Sequence, residues 1–438
     1  MDRGDLGDRI RQRRARLAVI GMGYVGLPLA TEFARSGFAV DGLDIDAGRT
    51  KQINAGRSHV EDVSDLEVAR LVSSGKLSAT TDFDALDKAD CAIICVPTPL
   101  RKTRDPDISY IVSALEEVAR RLRPGMLVVL ESTTFPGTTE EIMLPRLQET
   151  GLKVGRDFFL AFSPERVDPG NKDWRTRNTP KVVGGMTAAC GKIATLLYRQ
   201  AVDTVVTVSS ARAAEMIKLL ENTFRSVNIA LVNEIALICN RLGLEVWEII
   251  DGAATKPFGF MPFYPGPGLG GHCIPIDPHY LSWKLRTLDY QARFIDLASE
   301  INGFMPQHVL SKIVDALNRR RKAVSASRIL LMGVAYKKDT SDTRESPALD
   351  LMKLLRERGA HVDFHDPHVA ALPAGTPAPG QRSIPLTAAR LRKYDCAVIV
   401  SDHSGVDYQA LVDRSRVIVD TRNATKRIRR GRGKVVKL

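Results

Sequence analysis

Cys273 sits where a packing cysteine would not. Of the other cysteines (Cys91, Cys95, Cys190, Cys239, Cys396), several lie in apolar runs such as CAIIC and DCAVIV, whereas Cys273 follows Gly270 and Gly271 in GPGLGGHCIPIDP. Glycines let backbone and ligand come close, and His272 and Asp277 on either side add polar groups. A thiolate adds readily to an aldehyde, loss of hydride from the thiohemiacetal leaves a thioester, and water can hydrolyse that thioester. A tight structural turn would use the same glycines, so the residues alone leave both readings open.

A second group suits dinucleotide binding. Gly21, Gly23 and Gly26, with Tyr24 and Val25 between them in GMGYVG, follow an apolar strand and open a helix. Such glycines permit a tight turn and let main-chain N–H groups approach a pyrophosphate, which the helix N-terminus then favours electrostatically. Asp44 closes the next strand about 20 residues on, where a carboxylate can accept both ribose hydroxyls of NAD and repel the 2′-phosphate of NADP. Arg49 nearby keeps NADP as the alternative. Lys218 and Asn222 are four residues apart and stack on one helix face. A lysine among Ile217, Leu219 and Leu220 either snorkels to solvent or points into a site. Two polar loops, 131–139 (ESTTFPGTT) with Thr133 and Thr134, and 163–168 (SPERVD) with Glu165 and Arg166, follow predicted strand ends, where open α/β sheets bind their ligands. Ordinary turn and cap chemistry is the competing reading of such loops.

The elements that must carry these residues repeat. Residues 17–20 form a strand, 27–36 a helix stopped at Gly37, and 39–43 a second strand. The pattern returns at 328–334, 347–358 with Gly359 as its stop, and 361–364; ADCAIICV at 89–96 closely matches YDCAVIV at 394–400, each an acidic lead into a buried parallel strand. The fold class expected is therefore α/β, two Rossmann-like doubly wound domains, one at each end. Between them, 210–242 carries Met216, Leu219, Leu220, Phe224, Val227, Leu231, Ile235 and Ile238 at helical spacing without Gly or Pro. One helix of about 33 residues would be about 50 Å long, enough to bridge the halves and offer a subunit interface. The stretch 255–278, rich in Gly, Pro and aromatics, is expected as a loop, and 371–380 as a surface loop without function.

Composition narrows the classes. The 438 residues are 44% hydrophobic and 26% charged, as in a soluble protein of two or three domains. No apolar run approaches the roughly 20 residues of a membrane span, and the charged N-terminus lacks a signal-peptide core; a cytoplasmic location is expected. The scattered cysteines do not form a disulfide framework, and Cys91 and Cys95 are spaced for packing rather than for zinc, so no metal site is assigned. The net charge of +12 invites a nucleic-acid reading, but residues 1–16 hold six arginines against three aspartates, and eight Lys or Arg without an acid follow Asp420. The body is close to neutral, which favours two solvated basic tails over polyanion binding.

Taken in order, GMGYVG, CVPTP, STTFPGTT, SPER, EMIKLLENTF, GPGLGGHCIPIDP, GVAYKKDTSDTRESPALD and DTRN resemble the UDP-glucose/GDP-mannose dehydrogenase family over almost the whole chain. The resemblance implies an NAD-binding Rossmann domain at 1–205, a central helical dimerisation domain with the cysteine loop at 206–305, and a UDP-sugar-binding Rossmann-like domain at 306–438. It implies that Cys273 is the nucleophile, that Lys218 and Asn222 stabilise the oxyanion, that Asp277 works with Lys218 in proton transfer and water activation, and that Glu165 assists thioester hydrolysis. The family threonine falls at Thr133 or Thr134, with Thr134 taken as catalytic and Thr133, with Thr98, placed by the cofactor. Arg166, Gly270, Lys337 and Arg344 fall near the sugar nucleotide. GHCIPIDP in place of GSCFxKD, with SPERVDPGN and KPFGFMPFYPGPG, resembles the branch acting on UDP-N-acetylhexosamines, UDP-N-acetylglucosamine above all, with UDP-glucose or the manno and galacto epimers as the alternatives. Its product would be a UDP-N-acetyl-uronic acid for surface polysaccharide, made by a homodimer or larger homo-oligomer. Two rival readings are a single-step β-hydroxyacid dehydrogenase, which needs neither the cysteine nor a second Rossmann domain, and a non-enzymatic polyanion binder using the basic tails.

Overall fold

Apolar runs four or five residues long, alternating with amphipathic helices, build two sheets in the computed structural model, which describes residues 5–101, 105–168, 171, 173–271 and 273–438. The first sheet contains β1 (Arg16–Ile20), β2 (Ala39–Leu43), β3 (Leu77–Thr80), β4 (Cys91–Ile94), β5 (Leu127–Leu130), β6 (Phe159–Phe162), β7 (Lys181–Gly185) and β8 (Val205–Val208) in the order 3-2-1-4-5-6-7-8. All neighbours are parallel except β6 and β7. β4 and β5 are buried along their whole length, as continuous apolar runs must be when helices cover both faces of a sheet. The order reverses between β1 and β4, which places the ends of those two strands at the topological switch point where doubly wound sheets hold ligands. The second sheet contains β9 (Arg328–Met332), β10 (His361–His365), β11 (Cys396–Ile399), β12 (Ile418–Asp420) and β13 (Val435–Lys437), all parallel, in the order 10-9-11-12-13.

The acidic lead before β4 and β11 has a structural reason. Asp90 Oδ2 accepts the Arg16 amide at 2.9 Å, and Asp395 Oδ2 accepts the Arg328 amide at 3.0 Å, so each aspartate caps the first amide of the strand that begins its sheet in the sequence. Each is paired with two cations, Asp90 with Arg9 and Arg123, Asp395 with Lys322 and Arg416. A buried carboxylate without such partners would be costly.

The chain divides into two compact units, residues 1–221 with 279–290, and residues 222–278 with 291–438. The helix expected over 210–242 is Ala211–Leu242. Met216, Leu220, Phe224, Leu231, Ile238 and Leu242 are exposed along it. Among the described residues, 255–276 contains no helix or strand. The expected loop ends earlier than the sequence suggested, because Asp277 and Pro278 begin the helix Asp277–Arg286. An acid in the first turn and a proline that gives up an already orphaned N–H both suit a helix start.

The described parts of the basic ends are not solvated tails. Helix Leu6–Arg11 buries Leu6 and Ile10, one turn apart, against the first core. At the other end Val436 pairs with Val419, and Leu438 is buried. Apolar residues interleaved with the arginines, invisible to a charge count, anchor both. Cys91, Cys95, Cys190, Cys239 and Cys396 are buried and reduced, and Cys273 is half-buried. No helix among the described residues is long and apolar enough to cross a membrane.

Candidate active site

The glycine turn after β1 has the shape a pyrophosphate needs. A Cβ on Gly21 would lie 2.6 Å from Cys95 O, and one on Gly26 would lie 1.8 Å from Gly21 O, so both must be glycine for the turn to close. Gly23 is different, because a Cβ there would meet nothing within 4 Å. Helix Gly26–Arg35 begins beyond it with no side-chain cap at Val25, and Tyr24 is exposed. Open space over a helix start with uncapped amides fits a dinucleotide diphosphate. Asp44 is buried at the end of β2; Oδ2 accepts the Met22 amide at 2.9 Å and Oδ1 the Asp46 amide at 2.9 Å. Arg49 lies 3.4 Å from Asp44 and 3.5 Å from Asp46, so its charge is already answered by carboxylates.

Two of the candidate groups, Lys218 and Glu165, meet in the first unit. Lys218 does not snorkel: it is buried, and Nζ donates to Glu165 O at 2.7 Å. Glu165 Oε1 accepts the amides of Arg166 and Val167, both at 2.7 Å, while Oε2 accepts Lys181 Nζ at 3.1 Å. Burial works to raise the Glu165 carboxyl, but the Lys181 ammonium, the Val167 amide and Lys218 outweigh it and hold the group below the ordinary range. Thr134 is buried with its hydroxyl 2.7 Å from that of Thr138, whereas Thr133 is half-buried. Arg166 is committed to Glu221 at 2.6 Å and to Pro180 O at 2.6 Å.

The threonine loop is pinned from two sides. Buried Glu215, one turn before Lys218 on the long helix, accepts the Gly137 and Thr139 amides at 2.6 and 2.9 Å and the Thr139 hydroxyl at 2.6 Å. Helix Asp277–Arg286 contributes Trp283, whose ring centroid is 5.0 Å from that of Phe135, and Tyr280, whose hydroxyl donates to Thr98 O at 2.6 Å. Sequence reasoning passed over Glu215, Tyr280 and Trp283; nothing in their spacing tells a pinning residue from ordinary core.

In the second unit, Asn222 and Asp277 are buried and joined by a hydrogen bond from Asn222 Nδ2 to Asp277 Oδ2. The Asp277 and Ile276 amides donate to Cys273 O at 2.8 and 3.0 Å, which closes a turn directly after the cysteine. The glycines ahead of it serve a close approach within the protein. A Cβ on Gly270 would lie 2.7 Å from Tyr336 Cβ, one on Gly271 would lie 2.9 Å from the Tyr336 ring, and the Gly271 amide donates to Arg344 O at 3.1 Å. Arg344 is half-exposed and holds Asp342 through two nitrogens; Lys337 is partly buried. His272 lies outside the described residues. Arg422, in the DTRN motif but given no role from sequence, is a deeply desolvated guanidinium whose pKa is lowered by burial. Among the described residues its hydrogen bond is from Nε to Val400 O, and it flanks the cysteine loop at Gly266.

An open glycine turn at a switch point, with an acid at the next strand end, defines an NAD-dependent dehydrogenase unit. Models of the UDP-glucose/GDP-mannose dehydrogenase family match residues 15–202 (NAD binding domain), 212–303 (central domain) and 330–427 (UDP binding domain), and the chain belongs to that family. It is similar to a UDP-N-acetyl-D-glucosamine 6-dehydrogenase from Pseudomonas aeruginosa, 38% identical over 83% of this chain and 88% of the relative. It also resembles an NDP-N-acetyl-D-galactosaminuronic acid dehydrogenase from Ralstonia nicotianae, 38% identical over 94% and 97%. A solved UDP-D-ManNAc dehydrogenase from Pyrococcus horikoshii superposes with a TM-score of 0.85 at 37% identity, covering 93% of this chain and 96% of that one. The chain is thus an NAD-dependent oxidoreductase of the sugar-nucleotide class.

Proposed function

We propose that the chain oxidises the C6 hydroxymethyl of a UDP-N-acetylhexosamine, UDP-N-acetylglucosamine first, to the uronate through a covalent intermediate on Cys273. The observation that carries the reading is the half-buried Cys273 on a turn closed by the Asp277 amide, with the Asp277 carboxylate held by Asn222. Relatives named for N-acetylated sugars of glucosamine, mannosamine and galactosamine type support the substrate class.

NAD bound at the Gly21–Gly26 turn, beside Asp44, would accept one hydride in each of two oxidations. The first takes the alcohol to the aldehyde. Cys273 sulfur then adds to the carbonyl carbon; the second oxidation turns this adduct into a thioester, water adds, the C–S bond breaks, and the thiol returns as the carboxylate and a proton leave. Lys218 and Asn222, one helical turn apart, stabilise the oxyanion formed at each addition, Asp277 and Lys218 move the proton, and Glu165 orients the water. The Thr134 hydroxyl supports the sugar oxygen. Lys337, Arg344 and the desolvated Arg422 are the cations for the diphosphate. The exposed apolar stripe from Met216 to Leu242 is the surface on which a second copy would pack.

The test is a panel of UDP-sugars with NADH readout. The reading expects two NADH per sugar, no turnover by Cys273→Ala, and kcat/KM for an N-acetylated sugar at least about tenfold above UDP-glucose, since a site built for an amide leaves polar groups unpaired when a hydroxyl replaces it. One NADH per sugar, or an active alanine variant, would sink the mechanism; equal use of UDP-glucose would overturn the substrate alone.

A further inference from the structure

A lysine lies buried beneath the candidate water-orienting group, and no step above uses it. Lys181 opens β7, where KVVGG reads as an ordinary strand start. Its side chain is 3% exposed, and Nζ lies 2.7 Å from Glu131 Oε2 and 3.1 Å from Glu165 Oε2. Glu131, wholly buried at the end of β5, also accepts the Tyr198 hydroxyl, and the Lys181 ammonium stands over the Tyr198 ring, 5.6 Å from its centroid. We propose that Lys181 is the positioning residue for thioester hydrolysis, clamping the Glu165 carboxylate in one orientation while Glu131 and Tyr198 hold the clamp. This rests on the reading of Glu165 given above.

Buried ion pairs contribute little net stability compared with apolar packing of the same volume, so three charges at one buried point need another reason. The geometry supplies one. Glu165 Oε1 is fixed by the Arg166 and Val167 amides, Lys181 fixes Oε2, and Glu165 O accepts Lys218 Nζ, so a rotation of residue 165 would also move the ammonium assigned to the oxyanion. The groups facing the cluster are Glu131 from β5, Lys181 from β7, Tyr198 from helix Ala188–Tyr198, Lys218 from the long helix and buried Cys95 after β4, with Arg166 in the same loop as Glu165. Burial pushes the Glu131 carboxyl up despite Lys181, whereas Glu165 is held down. Two neighbouring carboxyls are thus driven apart, and Glu165 is the first of the two to ionise as pH rises.

The test follows hydrolysis of the Cys273 thioester by intact-protein mass and by NADH release across pH. Lys181→Met should slow hydrolysis by about a hundredfold, the lower end for a misplaced acid–base group. Thioester should accumulate, KM for the UDP-sugar should stay within about threefold, and the rising limb of the pH profile should move to higher pH, because an unclamped buried Glu165 ionises later. Lys181→Arg should restore most of the rate. Glu131→Gln loosens the hold on Lys181 without removing the ammonium, so hydrolysis should slow by about tenfold with KM unchanged, less than in Lys181→Met; it decides the matter if Lys181→Met fails to fold. Normal hydrolysis in Glu131→Gln, or in Lys181→Met, overturns the proposal. Glu165→Gln separates the levels: if it hydrolyses the thioester normally, the role of Glu165 itself is wrong and the clamp falls with it.

Discussion

The chain carries two glycine turns built to one plan, and only the first is left open. The first strand of each sheet runs into a left-handed glycine, Gly21 at φ +91° and Gly333 at φ +82°, whose Cβ would strike the segment after the adjacent strand: Cys95 O at 2.6 Å in the first, Ser401 Cβ at 2.6 Å in the second. In each, an aspartate at the next strand end accepts the amide after the glycine, Met22 to Asp44 at 2.9 Å and Val334 to Asp366 at 2.8 Å. Then the two part. Gly23 faces open space and a helix starts at Gly26, whereas Ala335 is fully buried, its amide donates to Asp366 at 3.0 Å, and the next helix waits until Pro347. His403 fills what remains, with Nε2 3.1 Å from Asp366 and Nδ1 accepting the Asp339 amide at 3.0 Å. Asp339, His368 and His403 bring ligand atoms within 4.8 Å of one another, but these hydrogen bonds leave His403 no lone pair for a cation. Strand, glycine and aspartate are scaffold; what fits the first turn for a dinucleotide is the space at Gly23 and the helix that starts at once behind it.

Gly23→Val should have the largest effect of any change that respects the fold. The side chain enters open space, so the thermal midpoint should move by no more than about 2 °C, while the Kd for NAD rises at least about a hundredfold as the valine occupies the diphosphate position. Calorimetric titration and a melt of the same sample check both halves; a variant that binds NAD normally breaks the comparison.

Asp366→Asn tests the closed turn. Its carboxyl is driven down to about 2 although burial opposes this, because His403 and the amides of Ala335, Val334 and His368 donate to it. A folded pKa below the unfolded value of about 3.9 contributes stability that is complete above about pH 5 and lost as pH falls towards 2, worth about 2 kcal/mol. Urea unfolding of wild type and variant should differ by about that amount at pH 7 and converge near pH 2, with NAD binding unchanged. A gap that persists at pH 2 would show that shape, not charge, holds this turn.

Asp44→Ala should weaken NAD by about tenfold and narrow the preference over NADP, the scale of one ribose contact. Because Asp44 also caps the Met22 amide, a modest fall in melting temperature should accompany it. Unchanged NAD affinity would reduce Asp44 to the scaffold role that Asp366 plays.

Much of this is legible in the sequence. The strand–glycine–helix pattern, the acidic leads at Asp90 and Asp395 and the long helix are written in local periodicity, and the helix was misjudged by one residue. The first turn was legible as open because its helix starts at once. What the sequence hid are pairings across distance. Lys181 and Glu131 are fifty residues apart in the chain; a lysine at a strand start reads as solvated, and nothing local says that two carboxylates wait beneath it. The antiparallel β7 was hidden too, since strand direction leaves no mark on a short apolar run. Leu6, Ile10 and Val436 are masked by the basic residues around them.

The smallest expected effect is the most direct test of the comparison. Ala335→Gly gives the second turn the residue that the first has at Gly23, yet it should create no second dinucleotide site. The methyl removed is fully buried, and losing it while loosening the backbone should cost about 1 kcal/mol. The Ala335 amide would still be held by Asp366, and His403 would still fill the space. Equilibrium dialysis with NAD should therefore find the same stoichiometry in variant and wild type. A second bound NAD would mean that one glycine suffices and that the donated amide is incidental; the double variant Ala335→Gly, Asp366→Asn then asks whether freeing that amide as well adds anything. If neither gains a site, the two turns differ as wholes: the immediate helix start after Gly26, which no single substitution can build after Ala335, is what the second lacks.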